Sequence, residues 1–294
     1  MKNIYIDTDC GMDDIIAITM LLTDANISVE AISTVNGLTN PYVGKKNLEM
    51  ILNFLETTVR ISAGSEEPLR KSRYGYAFPE QDIINSSKLS FLQNLIKNTK
   101  KTRKKTAKFR GKLTLLCIGP LTNIARALIK NKNWLAQRVE KIIIMGGAVY
   151  VSGNVQPQKL AEYNFFLDPE AADIVLSSNI PITLVSLDAT KYVPADQAFK
   201  KKVAKIFPKT NSGKLIKKLI TSNSRDYRYF YDPLAASILI DPTIITCSRA
   251  VSIKVSVSGL NSGQCLLVNN KNSVNLITNV NKTKFQNLLL SKIN

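Results

Sequence analysis

The sequence predicts an α/β fold: a mainly parallel, Rossmann-like central sheet flanked by helices, with a C-terminal antiparallel β segment. Three observations predict it. Short apolar runs such as "KLTLLCIG" (112–119) and "VEKIIIMGG" (139–147) alternate with longer helical patterns. Those runs are continuously apolar, as strands covered on both faces of a parallel sheet must be. No Pro/Gly/Ser-rich linker divides the 294 residues, so a single domain over 1–294 is expected.

The elements follow in order. "NIYI" (3–6) is the first strand and leads into an amphipathic helix from Asp13 to about Leu22. "VEAISTV" (29–35) is the next strand, a helix covers 40–56, and "VRIS" (59–62) is a short third strand. An irregular, charged segment spans 63–86, and a helix is expected over 88–98. The strand at 112–119 feeds a helix over 121–130, and the strand at 139–147 ends in two glycines. "DPEAADIVLSS" (168–178) has Asp168 placed to cap a helix whose first residue is Pro169. "PITLVSLD" (181–188) is a strand, two or three helices fill 196–240, and the tail is antiparallel β followed by a helix from Lys282. In such sheets ligands bind outside the carboxyl ends of the strands. Asp7, Asp9, Gly119, Gly146, Gly147 and Asp188 should therefore gather on one edge.

Composition excludes several classes. The apolar stretch "IIAITMLL" (15–22) falls far short of the ~20 residues of a membrane span, and the N-terminus turns acidic too early for a signal peptide. Four scattered cysteines lack zinc spacing and read as reduced thiols of a cytoplasmic protein. The net charge of +18 is concentrated in 97–112, 199–209 and 213–218. It reads mainly as a solvated lysine surface, with non-specific anion contact through 97–112 and no membrane partner. There is no histidine. That removes serine–histidine–aspartate triads, histidine-ligated metals and histidine general acids.

"IYIDTDCGMDD" (4–14) places Asp7, Asp9, Asp13 and Asp14 within eight positions behind an apolar strand. A helix N-terminus accommodates one or two carboxylates, but not easily four. A hard cation is the physical remedy for such crowding, and an all-oxygen site suits Ca²⁺ or Mg²⁺. Two enzyme classes open with an apolar strand and D-x-D: haloacid-dehalogenase-type phosphatases and nucleoside hydrolases. "DTDCGMDD" contains the longer D-x-D-x-G-x-D-D pattern of the second. "GPLTNIARAL" (119–128), "IIIMGGAVYVSGNV" (142–155), "AEYNFFLDPEAADIV" (161–175) and "YDPLAA" (231–236) follow in that family's order. The chain thus resembles the inosine-uridine-type nucleoside hydrolases over about residues 3 to 290.

The resemblance implies the fold of that family and hydrolysis of the N-glycosidic bond of ribonucleosides, with Ca²⁺ as cofactor and a nucleoside as partner. It places metal ligands on Asp9, Asp14, the backbone carbonyl of Ile118, and Asp232, with Asp9 also taking a proton from the attacking water. It places ribose contacts on Asp13, Asn154, Glu162 and Asn164, and Asp7 behind the metal ligands. A homo-oligomer is expected, as is common in the family. On residue type alone Glu162 also reads as a surface charge, Asn164 as a turn residue and Asp232 as a helix cap.

The match breaks on the base side. Tyr231 stands where many members carry a histidine, the loop at 70–82 has none, and Leu38 in "VNGL" replaces an asparagine that contacts ribose. Asn36 or Asn40 is placed to compensate. Tyr74, Tyr76, Tyr227 and Tyr231 are candidates to stack on the base or donate a proton to it. Asn223, Tyr227 and Tyr231 would share one face of a continuous helix. These departures leave open a relative that binds ribose or nucleoside without turnover.

Overall fold

Nine strands form one sheet in the computed structural model, which describes residues 1–70, 111–222, 228–269 and 273–294. The strands are β1 (Lys2–Thr8), β2 (Ile27–Thr34), β3 (Arg60–Ala63), β4 (Leu113–Cys117), β5 (Val139–Met145), β6 (Ile182–Val185), β7 (Ile245–Val255), β8 (Cys265–Val268) and β9 (Val274–Val280). Their order is β3-β2-β1-β4-β5-β6-β9-β7-β8. β1 to β6 and β9 are parallel, while β7 runs antiparallel to β9 and to β8. The predicted antiparallel tail is present, with β9 inserted between β6 and β7.

Side-chain alternation explains why these strands read as unbroken apolar runs. Leu116, Ile118, Ile143 and Met145 enter one core cluster, and Leu115, Cys117, Ile142 and Ile144 enter the other. Each face is covered by helices. α1 (Met12–Leu22), α8 (Asn211–Thr221), α9 (Tyr231–Ile240) and α10 (Lys282–Ser291) contribute to the first cluster. α3 (Thr122–Arg138) and α5 (Pro169–Leu176) contribute to the second. α2 (Pro41–Phe54), α4 (Tyr163–Leu167), α6 (Leu187–Thr190) and α7 (Gln197–Ala204) complete the set among the described residues.

The chain reverses its direction of progress across the sheet at β1. β2 lies on one side of it and β4 on the other. The crevice at their carboxyl ends is the topological switch point, where open α/β sheets hold ligands. Asp9 and Ile118 lie just beyond these two strand ends.

Three local expectations change. The helix expected to stop at 130 runs to Arg138, bending at Asn131 (φ −160°, ψ 76°) before Leu135 re-enters the core. The strand expected to reach Asp188 ends at Val185, because Ser186 caps α6 by accepting the Asp188 amide at 3.2 Å. α4 was not expected at all. The cap at Asp168 is as expected, with its Oδ1 accepting the Ala171 amide at 3.1 Å. The helix expected over 88–98 lies outside the described residues.

Candidate active site

The acidic stretch is built by a strand end, a strained turn and a helix start. β1 alternates, so Asp7 and Thr8 leave it toward opposite faces. Thr8 Oγ1 accepts the Cys10 amide at 3.0 Å and donates to Asp14 Oδ1. Cys10 has φ 61°, a left-handed conformation rare outside glycine and asparagine, and such strain concentrates at functional sites. Gly11 then starts α1, donating its amide to Asp14 Oδ2 at 2.9 Å. The first turn of α1 thus presents Asp13 and Asp14, both buried.

Asp9 sits between two backbone segments. The Leu38 amide donates to its Oδ2 at 2.8 Å, and Thr39 Oγ1 donates to its carbonyl at 2.8 Å. Gly37 passes so close that a Cβ there would lie 2.2 Å from Asp9 Oδ2, which is why "VNG" carries a glycine at this point. Asp232 arrives from elsewhere in the chain, on the first turn of α9, and α9 packs against α1. The residue before α9 is Phe230, so Asp232 does not act as a cap. Carboxylate oxygens of Asp13, Asp14 and Asp232 all lie within 4.8 Å of one another.

These groups repel. Two unit charges ~4 Å apart at an effective dielectric of ~20 oppose one another by about 4 kcal/mol. Burial, and then the charges of Asp14 and Asp13, hold the Asp9 carboxyl well above the ordinary carboxylate range. Burial, and then Asp13 and Asp14, do the same at Asp232. Burial and the Asp14 charge push Asp13 up to about 7. A cluster of buried oxygens whose charges no cationic side chain among the described residues compensates is the donor set a hard divalent ion requires. Ile118, the residue after β4, donates its amide to the Asp7 carbonyl at 2.8 Å.

Asp7 stands behind this group, on the face toward α3. Ser33 Oγ and Asn123 Nδ2 (2.8 Å) both donate to its Oδ1, while its Oδ2 is buried without a partner. Burial pushes its carboxyl up to about 7.

Glu162 is buried and caps α4, which rules out the reading of it as a surface charge. Its Oε1 accepts the Asn164 amide at 3.0 Å; its Oε2 accepts those of Gly147 at 2.9 Å and Phe165 at 3.2 Å. Asn164 is also buried, with Nδ2 donating to the Met145 carbonyl at 3.2 Å. Both residues are thereby tied to the carboxyl end of β5. Asn154 is different: it is exposed, on the loop after β5, and only its backbone amide is held, at 3.0 Å from the Ala161 carbonyl.

This geometry can be set beside known proteins. The family model for the inosine-uridine preferring nucleoside hydrolase matches residues 4–287. The chain belongs to this family. Uridine nucleosidase 1 of Arabidopsis thaliana is 29% identical over 287 residues, covering 90% of this chain and 82% of that protein. The inosine-uridine preferring nucleoside hydrolase of Leishmania major is 29% identical over 276 residues, covering 88% and 84%. A solved plant nucleoside hydrolase superposes with a TM-score of 0.80 at 25% identity, covering 99% of this chain and 98% of that one. Nucleoside hydrolases are hydrolases acting on N-glycosyl compounds, and this chain is one of them.

Of the tyrosines expected to face the base, Tyr231 lies within the described residues. Tyr231 is half-buried; burial, and then the charges of Asp13 and Glu162, raise its phenol well above the ordinary value. Its ring meets that of Tyr229 edge-on at 5.9 Å. A shared face for 223, 227 and 231 required one continuous helix, and the helix that carries Tyr231 begins only there. Arg228–Phe230 is extended, because the Ala195 amide donates to the Arg228 carbonyl (2.9 Å) and the Phe230 amide to the Val193 carbonyl (3.0 Å). Asn223, Tyr227, Tyr74 and Tyr76 lie outside the described residues. Asn40 caps α2, its Oδ1 accepting the Tyr42 amide at 2.9 Å.

Sequence reasoning missed Thr8, Ser33, Asn123 and Tyr163. Thr8 was legible from its place between Asp7 and Asp9. Tyr163 opens α4 beside Glu162, and burial followed by the charges of Asp9 and Glu162 pushes its phenol up to about 12. Asp188, expected only to share the edge, anchors the loop after β5 by accepting the amides of Val149 (2.9 Å) and Tyr150 (2.8 Å).

Proposed function

We propose that the chain hydrolyses the N-glycosidic bond of ribonucleosides, releasing ribose and free base, with Ca²⁺ as its cofactor. The observation that carries this reading is the convergence of Asp13, Asp14 and Asp232 within 4.8 Å of one another at the β1/β4 crevice, with buried Asp9 close enough to feel the charges of Asp14 and Asp13. We assign the ion to Asp9, Asp14, the Ile118 carbonyl and Asp232. When bound, Ca²⁺ supplies neutralising charge and Lewis acidity toward water. Asp9 accepts the proton of the attacking water, and the Leu38 amide fixes the plane of its carboxylate. Asp13, Glu162 and Asn164 hold ribose hydroxyls, and Asn154 reaches the 5′-hydroxyl. Positive charge grows on the sugar as the bond breaks, and these carboxylates stabilise it. Asp7 steadies the turn from behind.

Leaving-group protonation falls to tyrosine. Tyr231 keeps its proton at neutral pH, and Tyr227, Tyr76 and Asn223 are further candidates to face the base. The enzyme is read as cytoplasmic and homo-oligomeric. Uridine is the first substrate to test, because the names of both relatives above contain it.

Ribose release from a nucleoside panel, with Ca²⁺ present, tests the proposal. Turnover of uridine or another ribonucleoside, abolished in Asp9→Asn, is expected. Leu38 beside Asp9 favours one alternative, a ribose-binding relative without turnover. Saturable nucleoside binding by calorimetry with no ribose released would establish that alternative.

A further inference from the structure

Residues 197 to 222 contain eight lysines, no arginine and no acidic residue. They form α7, α8 and the loop joining them. The apolar sides of both helices are consumed by the core: Phe199 and Val203 of α7, and Leu215, Ile216 and Ile220 of α8, are buried. Lys201, Lys202, Lys205, Lys209, Lys214 and Lys218 are left exposed. The joining loop does the opposite of what a solvated loop should do. It places Ile206, Phe207 and Pro208 between Lys205 and Lys209, and Phe207 is 89% exposed, the highest value among the described large hydrophobic residues. The loop is held in that posture. Lys217 Nζ donates to the Ile206 carbonyl at 2.6 Å and stands 5.5 Å from the centroid of the Phe207 ring.

We propose that this tip docks the protein onto an anionic lipid surface. Phe207 enters the headgroup layer while the surrounding lysines meet lipid phosphates and carboxylates. An apolar tip within a lysine field has the two parts that peripheral membrane attachment combines, buried apolar area and attraction to anionic lipid. Single-stranded nucleic acid is the other polyanion to weigh. Its binding sites are grooves that track the backbone and stack successive bases on aromatic rings, with arginine as the favoured planar partner. A single protruding ring with no arginine in the segment fits lipid better. The absence of a spanning helix among the described residues does not bear on adsorption to a surface. The proposal is independent of the hydrolase reading.

Co-sedimentation of the full chain with vesicles of phosphatidylcholine, with and without phosphatidylserine, tests it. Partition onto the phosphatidylserine vesicles should exceed that onto neutral ones by at least about tenfold at low salt. Lys205→Gln with Lys209→Gln should lower it by about fivefold per lysine, and Phe207→Ser by at least about fivefold. Circular dichroism confirms that these exposed substitutions leave the fold intact. Equal partition onto neutral and anionic vesicles would overturn the proposal. So would Phe207→Ser or the double glutamine variant binding as well as the parent, which would place the attraction on another basic stretch such as 97–112. Homopolymeric RNA bound more tightly than phosphatidylserine vesicles at the same salt would assign the surface to nucleic acid instead.

Discussion

The acid cluster and the Tyr229–Tyr231 pair lie side by side, yet they are built from different material. Every carboxylate of the cluster sits within a residue or two of a strand end or in the first turn of a helix rooted in the core. Backbone amides of Gly11 and Leu38 hold two of them. Tyr231 and Tyr229 stand instead at the end of an extended crossing held by backbone hydrogen bonds to Val193 and Ala195. The difference teaches where substitution is tolerated. Changing a cluster residue disturbs charge balance, packing and chemistry together. On the proposed reading, changing Tyr231 alters how a leaving base is handled and little else.

The largest effect should come from the cluster. Asp14→Asn and Asp232→Asn should each lower ribose release by about a hundred- to a thousandfold, the scale of losing one preorganised electrostatic group. An intact far-UV spectrum beside a loss under tenfold would break the comparison, because the cluster would then be dispensable. Chelation comes next. Removing Ca²⁺ should abolish activity and lower Tm, with both restored on re-addition; saturating ion at about a hundred times its Kd contributes about 2.7 kcal/mol. Activity untouched by exhaustive chelation would remove the metal from the reading.

The tyrosine prediction is smaller and sharper. Tyr231→Phe should reduce kcat on uridine by about ten- to a hundredfold, below the full range of general acid catalysis. It should leave a p-nitrophenyl riboside almost unaffected, since that leaving group departs without protonation. Equal losses on both substrates would assign Tyr231 to the sugar half instead.

The smallest effect concerns pH and stability. Asp7 and Asp13 have folded-state values raised to about 7 from 3.8, so their protonated forms are favoured by the metal-free fold. Between about pH 4 and about pH 7 the fold binds more protons than the unfolded chain, and stability falls as pH rises through that window. Metal-free protein should therefore melt higher at about pH 5 than at about pH 8, and Ca²⁺ should narrow or reverse the gap by favouring the carboxylates. A metal-free Tm that climbs with pH across that range would show that burial does not govern these groups.

Much of this was legible in the residues. The unbroken apolar runs specified strands covered on both faces, and the crowding of Asp7, Asp9, Asp13 and Asp14 specified an oxygen-rich site. The Asp168–Pro169 pair marked a helix start that the structure places at Pro169. The losses have physical causes. A four-residue strand followed by a capped turn reads like one longer strand, as at 181–188, because Leu187 continues the apolar run of Ile182, Leu184 and Val185. The helix imagined through Tyr231 had suitable spacing, but a backbone ladder with Val193 and Ala195 holds 228–230 extended.

By itself the sequence determined the sheet type, the crowding of four aspartates behind the first strand and the absence of any histidine to do proton transfer. These follow from local periodicity and residue chemistry, which short stretches carry intact. Only the tertiary structure shows how Asp232, which the resemblance groups with Asp14 from more than two hundred residues away, reaches Asp13 and Asp14: through the packing of α9 on α1. It also decided that Glu162 is buried behind three backbone amides rather than exposed, and that Phe207 points out rather than in. Burial and charge proximity are properties of the folded chain. They depend on which elements meet, and no short stretch of sequence contains that.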